Sequence, residues 1–213
     1  SARIIAKARL EGLPLHSETC THYLALTEEY LLGSRGQFYI CSPPLRKSSD
    51  VEALWQAAKA GFIEVVSTDD AGVPPEDNLR LAQGRFDKTP NGMASIEARL
   101  DILYAEGVCK GKISLPQLVA LTSTNPARLF GMYPQKGNLS PGADADIVLY
   151  NPNRKWIMSA EALHMNTTFC AFEGWEIPGQ VDTVLVRGQD LIRSRQFVGQ
   201  PGFGRRVFRR LEV

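Results

Sequence analysis

The chain has 213 residues, 44% of them hydrophobic and 22% charged, with a formal net charge of +1. This is globular composition, enough for one sizeable core or two small ones, and it gives no bulk charge that would hold the chain to nucleic acid or a membrane surface. No apolar run reaches the roughly 18 residues of a membrane-spanning helix, and the reading expects no signal peptide.

The first residues form a helical stripe, Ala2, Ile4, Ile5, Ala8 and Leu10, so a helix is predicted over 2–11. It has no N-cap or leader before it, as expected of a fragment that opens inside a helix. Residues 13–18 read as extended, and Thr19-Cys20-Thr21-His22-Tyr23-Leu24 reads as a strand end entering a loop. A short strand is predicted at 38–41, stopped by Ser42-Pro43-Pro44, because two prolines forbid both ladder bonds and helix continuation. Ser49 or Asp50 can cap a helix over 51–60 with an apolar stripe of Val51, Leu54, Trp55 and Ala58.

Gly61 ends that helix, and a buried strand follows over 62–66. It runs out in Ser67-Thr68-Asp69-Asp70. Strand, loop, helix and strand over 38–70 spell a βαβ unit. Acids at the carboxyl end of such a strand can ligate a metal ion or move a proton. The plain structural alternative is that one of the pair caps a helix and the other is solvated.

Residues 71–92 are rich in Pro, Gly and polar groups and read as a long loop ending in Thr89-Pro90-Asn91-Gly92. Helices are predicted over 94–106, with Ile96, Leu100 and Leu103 on one face, over 115–122, and in a short piece ended by Gly131. Near Lys136 the character changes to turns and strands: a strand at 147–150, then a hairpin of 181–186 and 191–194 about Arg187-Gly188-Gln189-Asp190. The chain is therefore α/β over 1–135 and all-β over 136–213. Residues 205–213 hold four Arg and one Glu, net +3, while the other residues hold 20 basic and 22 acidic, net −2; such a tail is expected to be solvated. Cys20, Cys41, Cys109 and Cys170 show no C-x-x-C spacing, the pattern of reduced thiols in a cytoplasmic protein.

An ordered set of motifs spans nearly the whole chain. It comprises Cys20-Thr-His-Tyr-Leu24, Cys41-Ser-Pro-Pro-Leu-Arg46, Ser67-Thr-Asp69, Pro90-Asn-Gly92, Ser123-Thr-Asn-Pro-Ala127 and Lys136-Gly with Pro141-Gly-Ala-Asp-Ala-Asp-Ile-Val148. Met165-Asn166 and Phe172-Glu-Gly174 complete it. Each motif alone is weak, but together they resemble the C-terminal half of the dihydropyrimidinase and hydantoinase family. The resemblance implies the C-terminal portion of a metal-dependent (β/α)8 barrel of the amidohydrolase class over 1–135. Strands of a small β-sandwich and the basic tail follow over 136–213.

It further implies hydrolysis of a cyclic amide, as in dihydropyrimidine or hydantoin rings, at two divalent metals, usually zinc. Asp69 matches the family's metal-binding, proton-shuttling Asp, and Ser42 and Asn91 match its ring-binding positions, where contacts are made largely through the backbone. The family's other metal ligands are expected upstream of Ser1, and His16, His22 and His164 match none of them. One Asp cannot hold a two-metal centre, so this chain alone is expected to be inactive. Asp70 stands where the family usually has His, and an adjacent acid is expected to add repulsion around the metal. The implied partners are a small cyclic amide or imide substrate and either a homo-oligomer or the missing N-terminal half. Nucleic acid and membrane are not expected. The alternative is a non-catalytic relative that works as an oligomeric scaffold.

Overall fold

The structure, a computed structural model, describes residues 2–210. Helix α1 (Ala2–Leu10) packs on the later helix α3 (Ser48–Lys59). Between them come strand β1 (Glu18–Cys20) and helix α2 (Thr21–Ala25), and after α3 comes β2 (Val65–Ser67). The two strands pair in parallel, Glu18 with Val65, Thr19 with Val66 and Cys20 with Ser67. A parallel pair needs a long crossover, which α2 and α3 supply.

The strand expected at 38–41 is absent: Gly36–Tyr39 is a 3-10 turn, and the parallel partner of β2 is β1. Tyr39 and Cys41 are buried, but they enter a side-chain core and not a ladder. The loop expected over 71–92 contains helix α4 (Pro75–Ala82). Pro75 occupies the first turn, where no N–H is needed, and Glu76 and Asp77 suit the helix N-terminus. Composition alone hid this helix behind its prolines.

Helix α5 (Arg99–Leu103) continues as a π turn over Tyr104–Val108. It starts later than predicted, and Ile96, expected on the apolar face, is 60% exposed. Ser114 and Gln117 form a capping box for α6 (Leu115–Val119), which passes through a second π turn into α7 (Asn125–Leu129).

Beyond Lys136 come β3 (Ile147–Asn151), β4 (Trp156–Ile157), β5 (Glu176–Ile177), β6 (Gln180–Val186), β7 (Gln189–Arg193) and β8 (Gln196–Phe197). An antiparallel sheet has the order β3-β6-β7-β8, and β4 pairs separately with β5. Arg187 and Gly188, both at positive φ (48° and 78°), make the two-residue turn between β6 and β7. The turn-rich stretch after Lys136 has a structural task. Lys136 binds Asp144 at 2.9 Å and also Asp146, whose carboxylate accepts the Arg187 amide at 2.8 Å. The basic tail does not run free as far as residue 210, since the Arg210 amide donates to the Gly131 carbonyl at 2.7 Å.

Two apolar clusters hold the elements together. One gathers Leu24, Trp55, Ala58, Ile63, Val66, Leu103, Ile113, Leu118 and Leu121 around β2 and α3. Trp55 is fully buried there, and its indole N–H donates to the Leu24 carbonyl at 2.8 Å. The other joins Leu26, Tyr39, Leu45, Met93 and Ile102 to Met158, Phe169, Cys170, Phe172 and Ile177. It therefore draws on both the helical and the strand-rich parts of the chain.

Asp101 of α5 is 2% exposed and faces Tyr150 of β3. Burial pushes its carboxyl up from 3.8 to about 7, against the smaller opposing pull of the Tyr150 hydroxyl, the Val181 backbone and Arg195, with Glu97 adding to the rise.

Gly107 lies so close to Trp55 that an added Cβ would sit 2.7 Å from the ring. Gly107→Ala is expected to lower unfolding stability by about 1–3 kcal/mol in a denaturant titration. The loss should shrink in a Trp55→Phe background, which relieves the clash. For Asp101, a raised folded pKa means that its contribution is complete below its unfolded value and is lost as pH rises through the folded one. Between about pH 5 and pH 8 this acid should remove about 2–3 kcal/mol of stability. Asp101→Asn should flatten that part of the pH profile of thermal unfolding.

Candidate active site

The parallel register of β1 and β2 brings both carboxyl ends to one edge, the place where α/β folds build sites. Cys20 ends β1, His22 follows two residues later, and Asp69 lies two residues beyond β2. One ligand atom from each of these three side chains lies within 4.8 Å of the others. Asp69 takes a left-handed backbone conformation, φ 47°, which Asp tolerates better than most residues. It stands exposed beyond the end of the ladder.

The adjacent acids have separate tasks. The Asp70 carboxylate accepts the amides of Ser95 and Ile96 at 2.6 and 2.8 Å and so fixes the turn leading into α5. Its charge is committed to backbone donors, in answer to the repulsion expected beside Asp69. The alternative expected from the sequence, a helix cap for one acid and solvent for the other, is not met as such: Asp70 caps no helix but holds the turn before α5, and Asp69 is exposed.

Ser42 and Asn91, far apart in sequence, meet: the Ser42 hydroxyl donates to the Asn91 side-chain oxygen at 2.9 Å. The Gly92 amide donates to the Ile40 carbonyl at 2.9 Å, which fixes the two turns together. Gly92, at φ 107°, lies against Ala71, where an added Cβ would come within 2.3 Å of the Ala71 methyl. Ala71 donates its amide to the Met93 carbonyl at 3.2 Å. The pair is therefore tied to the strand end that carries Asp69. On the other side, the Tyr23 hydroxyl donates to the Pro43 carbonyl at 2.6 Å, linking the His22 segment to the Ser42 turn.

His22 has no accessible surface, and neither ring nitrogen has a hydrogen-bond partner. The Thr68 carbonyl is near enough to favour a proton on the ring but outside hydrogen-bonding geometry. Burial pushes the imidazole down to about 4, partly opposed by the Asp69 charge, so it is neutral with a free lone pair at neutral pH. Burial also raises the Cys20 thiol, while Ser67, 3.4 Å away, pulls it down. Sequence reasoning gave His22 no role. The signal available was a Cys-x-His at one strand end and an Asp at another, and only the strand pairing joins them.

His16 and His164 lie elsewhere, each hydrogen-bonded to a carboxylate, His16 to Glu64 at 3.1 Å and His164 to Glu97 at 2.8 Å. A surface depression of about 620 Å³ lies beside the Ser42 turn and is lined by Ile40, Cys41, Pro44, Leu79 and Phe86 among others.

Comparison with known proteins gives the frame for this geometry. The amidohydrolase family profile matches residues 3–191. D-hydantoinase of Geobacillus stearothermophilus is 42% identical over 207 residues, which is 96% of this chain and 44% of that enzyme. D-hydantoinase of Streptomyces coelicolor is 41% identical over 94% of this chain and 43% of its own length. The crystal structure of dihydropyrimidinase from Brevibacillus agri superposes with a TM-score of 0.95 at 44% identity, covering 98% of this chain and 46% of that one. The chain thus spans a little under half the length of these relatives. With hydantoinases and dihydropyrimidinases as its relatives in both sequence and structure, this chain belongs to the amidohydrolase family.

Proposed function

We propose that these residues form the carboxyl-terminal part of a cyclic-amide hydrolase that opens dihydropyrimidine or hydantoin rings, with Asp69 as metal ligand and proton carrier. The observation that carries the reading is the meeting of Ser42 with Asn91 on a turn bonded to the Asp69 strand end. In this reading residues 1–135 are part of a (β/α)8 barrel, and 136–213 supply strands of a small β-sandwich and the tail. The parallel β1–β2 pair and the antiparallel β3-β6-β7-β8 sheet support that division.

The donor chemistry at the strand ends suits a divalent metal, since an exposed carboxylate, a neutral imidazole and a thiol converge there. A bound metal would lower the pKa of the attacking water and polarise the ring carbonyl. Asp69 would hold it through a carboxylate oxygen, accept the proton of the attacking water and return it to the ring nitrogen as the amide C–N bond breaks. Ser42 and Asn91 would hold the ring through backbone groups whose positions are set by their mutual hydrogen bond and by Gly92. In the relatives' full length, further ligands would complete a two-zinc centre, and the 213 residues alone would turn over little substrate.

We also propose that the chain associates with a second polypeptide, either another copy or the rest of a hydrolase. β3 lies at a sheet edge with Val148 and Leu149 about half exposed, and such edges invite pairing. Cytoplasmic location is part of the same reading. Among the described residues no helix is long and apolar enough to cross a membrane.

Ring opening of dihydrouracil and hydantoin should be measured on the longest polypeptide that bears these residues. Asp69→Asn should lower kcat/KM by about 10²–10⁴-fold, the range for loss of a positioned acid–base group. An unchanged rate would remove Asp69 from the chemistry. No ring opening together with no stoichiometric metal would favour the non-catalytic scaffold. Light scattering of the 213-residue chain at micromolar concentration should give a mass above that of one chain; a clean monomer would refute the association.

A further inference from the structure

We propose that Tyr23 is a positioning residue for the ring site: its hydroxyl, donating to the Pro43 carbonyl, sets where the Ser42 backbone stands and so how tightly a substrate ring is held. The inference deepens the hydrolase reading, on which it rests for the role of Ser42 alone.

The turn has little with which to hold itself. Pro43 and Pro44 carry no N–H, so residues 42–45 have few backbone donors of their own. Backbone bonds secure the two flanks. The Gly92 amide donates to the Ile40 carbonyl and the Glu28 amide to the Arg46 carbonyl, each at 2.9 Å. Between these flanks the turn is held by side chains. The Ser42 hydroxyl bonds to Asn91 on one side, and Tyr23 holds the Pro43 carbonyl at 2.6 Å on the other. The Cys41 thiol donates to the same carbonyl at 3.3 Å, a weaker hold from within the turn.

Tyr23 can set a position because its own is fixed. It lies on α2 between His22 and Leu24, both fully buried. The Thr21 hydroxyl donates to the Ser67 carbonyl at 3.1 Å and ties α2 to the last residue of β2, while the Trp55 indole holds the Leu24 carbonyl. One phenol thus refers the Ser42 turn to the strand end that precedes Asp69, in the manner of an outer residue that locks a binding group in place. Burial, with Cys41 and Asp69 nearby, raises the Tyr23 hydroxyl above the ordinary phenol range, so it stays a donor at neutral and mildly alkaline pH. A backbone contact made alike in the bound ring and in the transition state governs KM and leaves kcat alone.

The test is Tyr23→Phe in the longest polypeptide that bears these residues, which keeps the aromatic packing and removes the hydroxyl. KM for dihydrouracil should rise about threefold to tenfold, the range for one lost hydrogen bond, with kcat changed by less than about twofold. Hydrogen exchange read by mass spectrometry on the same polypeptide should quicken over residues 40–46 and stay unchanged over 147–151. A KM within about twofold of the unsubstituted value, a loss in kcat with KM unchanged, or exchange quickened throughout would overturn the proposal. If Tyr23→Phe fails to fold, the second donor to Pro43 carries the test. Cys41→Ala should raise KM and Cys41→Ser, which keeps a donor for that carbonyl, should restore it; equal KM values or failure of Cys41→Ser to restore would overturn the proposal. Absence of ring opening by the unsubstituted polypeptide would remove the hydrolase reading. Exchange quickened over 40–46 alone would then still support Tyr23 as the residue that holds the turn, and unchanged exchange would remove Tyr23 as well.

Discussion

The three-residue parallel pairing of β1 with β2 is the constraint on which the candidate site depends. It joins segments 47 residues apart, Cys20 opposite Ser67, and sets which side chains share the edge beyond them. Strand side chains alternate faces, so a slip of one residue would turn Cys20 and Ser67 away from each other. From that edge a chain of contacts runs around the site. It passes from Tyr23 to Pro43, from Ser42 to Asn91, from Met93 to Ala71, and back to the strand end at Asp69. Each contact is an ordinary hydrogen bond. Together they leave the loops little freedom relative to one another.

The paired acids show how local chemistry separates residues that composition treats alike. Asp70 spends its charge on two backbone amides and becomes part of the framework. Asp69, one residue earlier and past the end of the strand, takes a left-handed backbone conformation and is exposed. The same framework holds the turn into α5, so the acid that organises the loop and the acid offered to chemistry are adjacent in the chain.

Much of this was legible in the sequence where the signal was local. The apolar stripe of α3 follows from periodicity. The strand expected over 62–66 forms at Val65–Ser67, and the hairpin expected to turn over residues 187–190 turns in Arg187 and Gly188 alone, with Gln189 and Asp190 already paired in β7. Asp69, Ser42 and Asn91 were singled out by ordered motifs, and the structure brings Ser42 and Asn91 into contact. The strand expected at 38–41 failed because Tyr39 and Cys41 alternate into a core and not into a ladder. Helix α4 was hidden because Pro75 lies at the one helical position where proline is welcome. His22 was illegible for a different reason. Its burial and its nearness to Asp69 are tertiary facts, fixed by a strand pairing that no window around His22 contains.

The backbone of Ala171 reaches across to Ala94, its amide donating to the Ala94 carbonyl at 3.1 Å, while Cys170 and Phe172 pack in one cluster with Met93. The segment beneath the Asn91 turn is thus shared property of the helical and the strand-rich parts of the chain. The two parts are therefore not interchangeable modules. A different strand-rich half grafted onto residues 1–135 would have to rebuild this seam before the turn opposite Ser42 could keep its place. Drift on either side of the seam is accordingly constrained by the shape of the other.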